Sequence, residues 1–237
     1  MESIRYLILG LLGTLVNVGY TQSQQSGFSP VAAQDRLEMW EEPRHQLVFE
    51  KDQLKVMEVR IPPSDSAFYH VHRYPTIYVV INDAKMWSQV WGKDWNRIPR
   101  PKYRERGSIS DLSYGYYNRD LYHRVSNHDT ATLHLIAVLS TKEAPMGDQV
   151  ESEVVDNHWF REHRFALEGK IQTENLIFSN PTIVIQCSEG ESVIQESDVT
   201  HSTKTKAGAF SWHEAGSTFR IENISSHEQL FVVIEIK

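Results

Sequence analysis

HVHRYPTIY (70–78) and LIFSNPTIV (176–184) share the triplet PTI at an offset of 106 residues (75 to 181), and this overlay decides the fold. Carried upstream, the register sets MEVRIPP (57–63) against HRFALEG (163–169), two strand-plus-turn pieces. Downstream, YHRVSNHDTATLHLIAV (122–138) overlays TFRIENISSHEQLFVVI (218–234) at an offset of 96 (122 to 218). The shorter offset places a longer connection in the first copy, between its two motifs. Two copies of one unit follow, at about 41–145 and 155–237.

The unit is made of strands. HQLVFEKDQLKVMEVRI (45–61), TIYVVIND (76–83), TATLHLIAVL (130–139), PTIVIQC (181–187) and EQLFVVIEIK (228–237) are rich in Val, Ile, Leu and aromatic residues. They alternate near period two and are bounded by Asp, Asn, Gly or Pro. No long stretch repeats every 3.6 residues. The fold class is all-β, each copy a small sandwich or barrel whose closure protects its sheet edges.

Composition bounds the function. The 237 residues suffice for one large domain or two of about 100 residues. A formal charge of −7 argues against nucleic acid as a partner, because phosphate recognition needs a basic footprint. The lone cysteine, Cys187, excludes an intramolecular disulfide and a thiolate metal cluster, and its apolar surroundings read as a small buried side chain. At the N-terminus, Arg5 precedes an apolar run from Tyr6 to Tyr20, followed by polar TQSQQSG (21–27). That order reads as a secretory signal over 1–23, with a polar leader over 24–40. The run is short for a membrane-spanning helix, so the mature chain is expected to be secreted or periplasmic, without a membrane span.

The paired motifs resemble the cupin superfamily, whose motifs are G-x5-H-x-H-x3,4-E-x6-G and G-x5-P-x-G-x2-H-x3-N. The first copy keeps His70-x-His72 and His123-x3-Asn127, with Asn118 and Asp120 at the proline and glycine positions. Asn and Asp are turn formers, so the tight turn survives those changes. The second copy keeps Gly208, Gly216 and Asn223, with Glu214 and Phe219 at the proline and histidine positions. The resemblance spans nearly the whole mature chain. It implies a bicupin of two tandem jelly-roll barrels with a metal site in the competent one, and by analogy a homodimer.

His-x-His on a strand puts both imidazoles on one face, with Cα atoms roughly 6–7 Å apart. In the cupin frame His123 completes the site with them from the opposing sheet. At the three matching positions the second copy has Leu176, Phe178 and Phe219, so apolar side chains suffice where only packing is needed. Three clustered histidines carry a desolvation cost that a metal offsets. The carboxylate of the family motif is missing, since Thr76 and Ile77 occupy its two allowed positions. The neutral imidazole set points to a divalent transition metal (Fe, Zn, Ni or Mn), with Mn the least suited. The site resembles the three-histidine iron centres of cupin dioxygenases. Tyr69, Tyr78 and His134 are candidate substrate-binding groups, with Tyr74 a further tyrosine near the motif. His134 overlays Leu230 and is expected to point inward as a partner of the ligands.

The stretch from Met86 to Tyr117, with Trp87, Trp91, Trp95, Arg104 and other cations, reads as a long loop. It is either a lid offering stacking faces and cations to a ligand or a solvated loop pinned by aromatics. His128, His158, His163, His201, His213 and His227 have no partner spacing and read as surface or structural residues. No glycine-rich phosphate loop, nucleophile elbow or CxxC is present. Three functions stay open: a metal-dependent enzyme acting on a small molecule by dioxygenase-like or isomerase-like chemistry, a non-catalytic bicupin that binds a metal or small molecule, and a purely structural bicupin whose histidines are vestigial. No residue identifies itself as the catalytic base.

Overall fold

The computed structural model describes residues 37–95, 102–113, 120–143, 154–196, 199–203 and 206–237. The expected signal and nearly all of the leader lie outside them. Ten strands come from the first half: β1 (Leu37–Glu38), β2 (His45–Lys51), β3 (Leu54–Ile61), β4 (His70–His72), β5 (Thr76–Val80), β6 (Ala84–Val90), β7 (Lys102–Arg104), β8 (Ile109–Asp111), β9 (Leu121–Asn127) and β10 (Leu133–Ser140). The second half supplies β11 (Phe160–Leu167), β12 (Leu176–Ile177), β13 (Thr182–Gln186), β14 (Ser192–Glu196), β15 (Val199–Thr203), β16 (Phe210–His213), β17 (Thr218–Asn223) and β18 (Gln229–Ile236). A 3-10 turn, Met39–Glu41, links β1 to the approach of β2.

Four sheets form, and none mixes the halves. In the first half β1-β4-β9-β6-β7 faces β2-β3-β10-β5-β8. In the second, β12-β17-β14-β15 faces β11-β18-β13-β16. Removing β1 and β2 leaves the same eight-strand order in both, so the PTI overlay is a true structural repeat. Asn127 and Asn223 show its precision. The Asn127 amide donates to the carbonyls of Ile61 (2.9 Å) and Ala131 (2.7 Å). The Asn223 amide donates to those of Leu167 (2.8 Å) and His227 (2.7 Å), the overlaid positions. Each pins the turn after one strand to the end of another and satisfies buried carbonyls that would otherwise cost stability.

Two consequences of period-two alternation organise the core. One face of β3, β5 and β10 points into the first barrel, with Met57, Val59, Ile61, Tyr78, Val80 and Leu135 buried there. The other face carries Val56, Ile77, Val79, Ile136 and Val138, which pack with Trp159, Ile183, Ile185, Val232 and Ile234 of the second half. The central strands are therefore buried on both sides, and all eight residues of β10 are buried.

The stretch from Met86 to Tyr117 is not a single loop. It contains most of β6 and all of β7 and β8, and the first two extend the histidine-bearing sheet. Its inward positions Met86, Ser88 and Arg104 mix apolar, polar and charged groups, which hides the alternation. Residues 96–101 and 114–117 of this stretch lie outside the described ones.

Candidate metal centre

His70 and His72 stand on one face of the three-residue strand β4, and the antiparallel register sets His70 opposite His123 of β9. His123 thus joins from the neighbouring strand of the same sheet, not from the opposing sheet as expected. All three side chains are buried. Their ring centroids lie 4.9 Å (His70–His72), 5.0 Å (His70–His123) and 4.3 Å (His72–His123) apart. One nitrogen from each falls within 4.8 Å of the others, close enough to share an ion. The Nε2 atoms of His70 and His72 approach to 3.0 Å.

Neighbouring groups fix the rings. His70 Nδ1 lies 2.9 Å from the Phe68 carbonyl, which demands a proton on Nδ1 and leaves Nε2 as the lone pair facing His72. Ser88 Oγ of β6 stands 3.2 Å from His123 Nδ1. Tyr78 Oη reaches 3.5 Å from His72 Nε2 and donates to Met39 Sδ at 3.0 Å. Burial, reinforced by the neighbouring imidazoles, holds the pKa values of His70 and His72 well below the ordinary histidine value. Burial, reinforced by His45, lowers that of His123 to about 3. The rings are thus neutral at physiological pH, the protonation state that ligation needs. The arrangement fits a soft or borderline divalent ion.

A cavity of about 140 Å³ opens beside the cluster, lined by His70, His123, Tyr78, His45, Ser88, Ser110 and Arg104 among apolar residues including Val59, Ile61, Leu112 and Leu135. His45, at the start of β2, escaped the sequence reading. Its ring centroid is 4.6 Å from that of His70, and its Nδ1 lies 2.6 Å from the buried Glu42 Oε2. Burial opposes ionisation of Glu42, but the bonds from His45 and the backbone N–H of Phe68 and Arg44 outweigh it and leave the carboxyl pKa lowered. A buried carboxylate therefore orients an imidazole at the cavity wall. Among the described residues β1 and β2 have no counterpart in the second half, so the repeat comparison could not reach this pair.

Of the other expected site residues, Tyr78 joins the cavity, whereas Tyr69 and His134 do not. Tyr69 alternates to the outer side of β4's approach, edge-on to Trp91 (4.7 Å) and beneath the Arg124 guanidinium (4.7 Å). His134 lies on the outward face of β10, with Nε2 3.0 Å from Glu58 Oε1, and it abuts Gly208 of the second half. Tyr74 packs at the edge of the core against Trp40. Thr76 bonds the Tyr74 carbonyl and Ile77 is in the shared core, so neither provides a ligand.

Among the described residues the second barrel has no matching cluster. Leu176 stands opposite Phe219 in the register that His70 and His123 occupy in the first, and Phe178 packs 5.9 Å from Phe219. His213 stacks on Phe219 at 4.1 Å and is held by Glu196 and Ser211, both at 2.8 Å. It is a buried structural histidine.

No family model matches the chain, and no curated protein matches it by sequence. Solved structures do match by shape. The crystal structure of AerE from Microcystis aeruginosa superposes with a TM-score of 0.62 at 13% identity, over 82% of this chain and 93% of that one. A cupin 2 conserved barrel domain protein from Leptotrichia buccalis gives 0.50 at 10% identity, over 81% and 88%. Salicylate 1,2-dioxygenase from Pseudoaminobacter salicylatoxidans, in a structure with gentisate adducts, gives 0.52 at 10% identity, over 77% and 68%. With the repeated eight-strand order and the histidine group on the page, these likenesses identify the architecture: the chain has the cupin fold, built twice in tandem.

Proposed function

We propose that this is an exported bicupin metalloprotein that acts on a small molecule in its first barrel. Residues 1–23 serve as the secretory signal and 24–40 as a leader; 41–145 form the metal-binding barrel and 155–237 its degenerate partner. The mature protein resides outside the cell or in the periplasm, and a homodimer is its expected assembly. No helix among the described residues is long and apolar enough to cross a membrane.

The observation that carries this reading is the meeting of three buried, neutral imidazoles, of which His70 and His123 stand at the wall of one cavity. His70, His72 and His123 would hold a divalent transition metal, Fe, Zn, Ni or Mn. When bound, such an ion supplies Lewis acidity or, as iron, reactivity toward dioxygen. Ser88 and the Phe68 carbonyl set ring orientation. The apolar walls limit water at the reacting centre. With Nδ1 committed to Glu42, His45 keeps Nε2 as an atom that can accept or return a proton at the cavity. That pair favours an enzyme over a passive binder, because holding a ligand requires no oriented proton acceptor. The likeness to a salicylate dioxygenase supports dioxygenase-type chemistry, with isomerisation as the alternative.

Metal analysis of protein prepared without a histidine tag tests the proposal. About one equivalent of iron, with oxygen uptake on a substrate panel, is the expected result. Stoichiometric zinc without turnover would favour a non-catalytic bicupin. Absence of metal, with thermal stability unchanged on adding Fe, Zn, Ni or Mn, would overturn it.

A further inference from the structure

Arg104 ends β7, where the register places it opposite Ala84 of β6, on the face that carries Met86 and Ser88 into the first barrel. It is a wall residue of the cavity that His70 and His123 also line. Its Nε is buried and makes no hydrogen bond, and no carboxylate faces it in that cavity among the described residues. An arginine on an inward face normally has its counter-charge beside it, because a buried donor left unpaired loses its hydration without compensation, the more so when it is charged. Burial without a compensating acid holds the guanidinium pKa below its ordinary value, yet it remains a cation at any physiological pH. The expense falls on a wall of the cavity that two of the candidate metal ligands also line.

We propose that Arg104 makes this cavity a receptor for small monocarboxylates, anchoring the carboxylate at its guanidinium while the apolar body lies toward the histidine cluster. The proposal deepens the metal-site reading and rests on it for the function of the bound molecule. The planar guanidinium fork matches a carboxylate in geometry and charge. A phosphate dianion fits less well, since the described wall offers one cation and two serine hydroxyls, without a lysine or a glycine-rich cradle of N–H groups. Val59, Ile61, Val125 and Leu135 favour a hydrocarbon body. At about 140 Å³ the space is comparable to the roughly 150 Å³ engineered cavity that accepts benzene, so a body up to one six-membered ring fits.

The test is calorimetric titration of the full chain, chelator-stripped and zinc-loaded, with acetate, 3-methylbutyrate, benzoate, neutral benzamide and inorganic phosphate. The metal content of each sample is measured alongside. At least one carboxylate should bind, with benzamide about tenfold or more weaker than benzoate. Arg104→Gln should weaken carboxylate binding about tenfold or more while leaving metal content unchanged and the melting temperature no lower, and Arg104→Lys should recover part of the loss. Equal binding of benzoate and benzamide by the wild-type protein would overturn the proposal without recourse to any variant. Wild-type affinity in folded Arg104→Gln, phosphate binding as tight as the best carboxylate, or no carboxylate binding at all would do the same. Arginine-dependent binding by a chain that takes up no metal would uphold the anion site and sink the metal reading alone.

Discussion

His70 and His123 are direct cross-strand partners, ring centroids 5.0 Å apart, and the same register in the second half pairs Leu176 with Phe219. One backbone arrangement thus supports two interiors. Cross-strand neighbours interact most strongly in a sheet, so the choice between an ion site and a packed core is made by a few side chains without altering the fold.

His72→Ala or His123→Ala should remove bound metal, because two remaining imidazoles cannot complete the site. Phe219→His should not create one, since Leu176 and Phe178 still fill the space. Elemental analysis of the purified variants checks both. Full metal content in His72→Ala would refute the ligand assignment.

Acid should destabilise the metal-free protein. His70, His72 and His123 bind protons less readily folded than unfolded, so their contribution is fully present above the ordinary histidine value of 6.5 and is lost as pH falls toward about 3, the folded value of His123. His134, lowered to about 4 chiefly by burial, adds to the loss in the same direction. A melting-temperature series over this range should fall steadily, and bound metal should shift the decline to lower pH.

Asn127→Ala removes two donors to buried carbonyls and should cost about 2–3 kcal/mol, read from urea unfolding. Asn223→Ala should cost a similar amount with metal content intact, because its bonds lie in the other half.

Gly208 has φ +93°, and a Cβ there would sit 2.5 Å from the His134 ring. Gly208→Ala should destabilise by about 1–3 kcal/mol through strain and overpacking, measured by thermal unfolding.

Cys187 is fully buried, and burial pushes its thiol pKa up to about 12. The native protein at pH 8 should resist a disulfide thiol reagent and react only after unfolding.

The repeat made the architecture legible, since PTI and the two asparagines sit at structurally equivalent points of the halves. It also made His70, His72 and His123 visible through their apolar counterparts. His45 and Glu42 were hidden because their segment has no second copy. Arg104 was visible only as one cation among many, because mixed chemistry on the inner face of β6 and β7 blurs the period-two signal. The misplacement of His134 has a different origin. Its overlay on Leu230 holds, but β10 is apolar on both faces, and alternation cannot tell which side of a doubly buried strand faces the cavity.

The layer formed by Val56, Ile77, Val79, Ile136 and Val138 with Trp159, Ile183, Ile185, Val232 and Ile234 makes each half the other's shelter from solvent. A truncated chain ending near Ser140 would carry a bare hydrocarbon slab, prone to clump with its neighbours. The second half thus has a task of its own, as the wall that covers the outer apolar face of the histidine-bearing half.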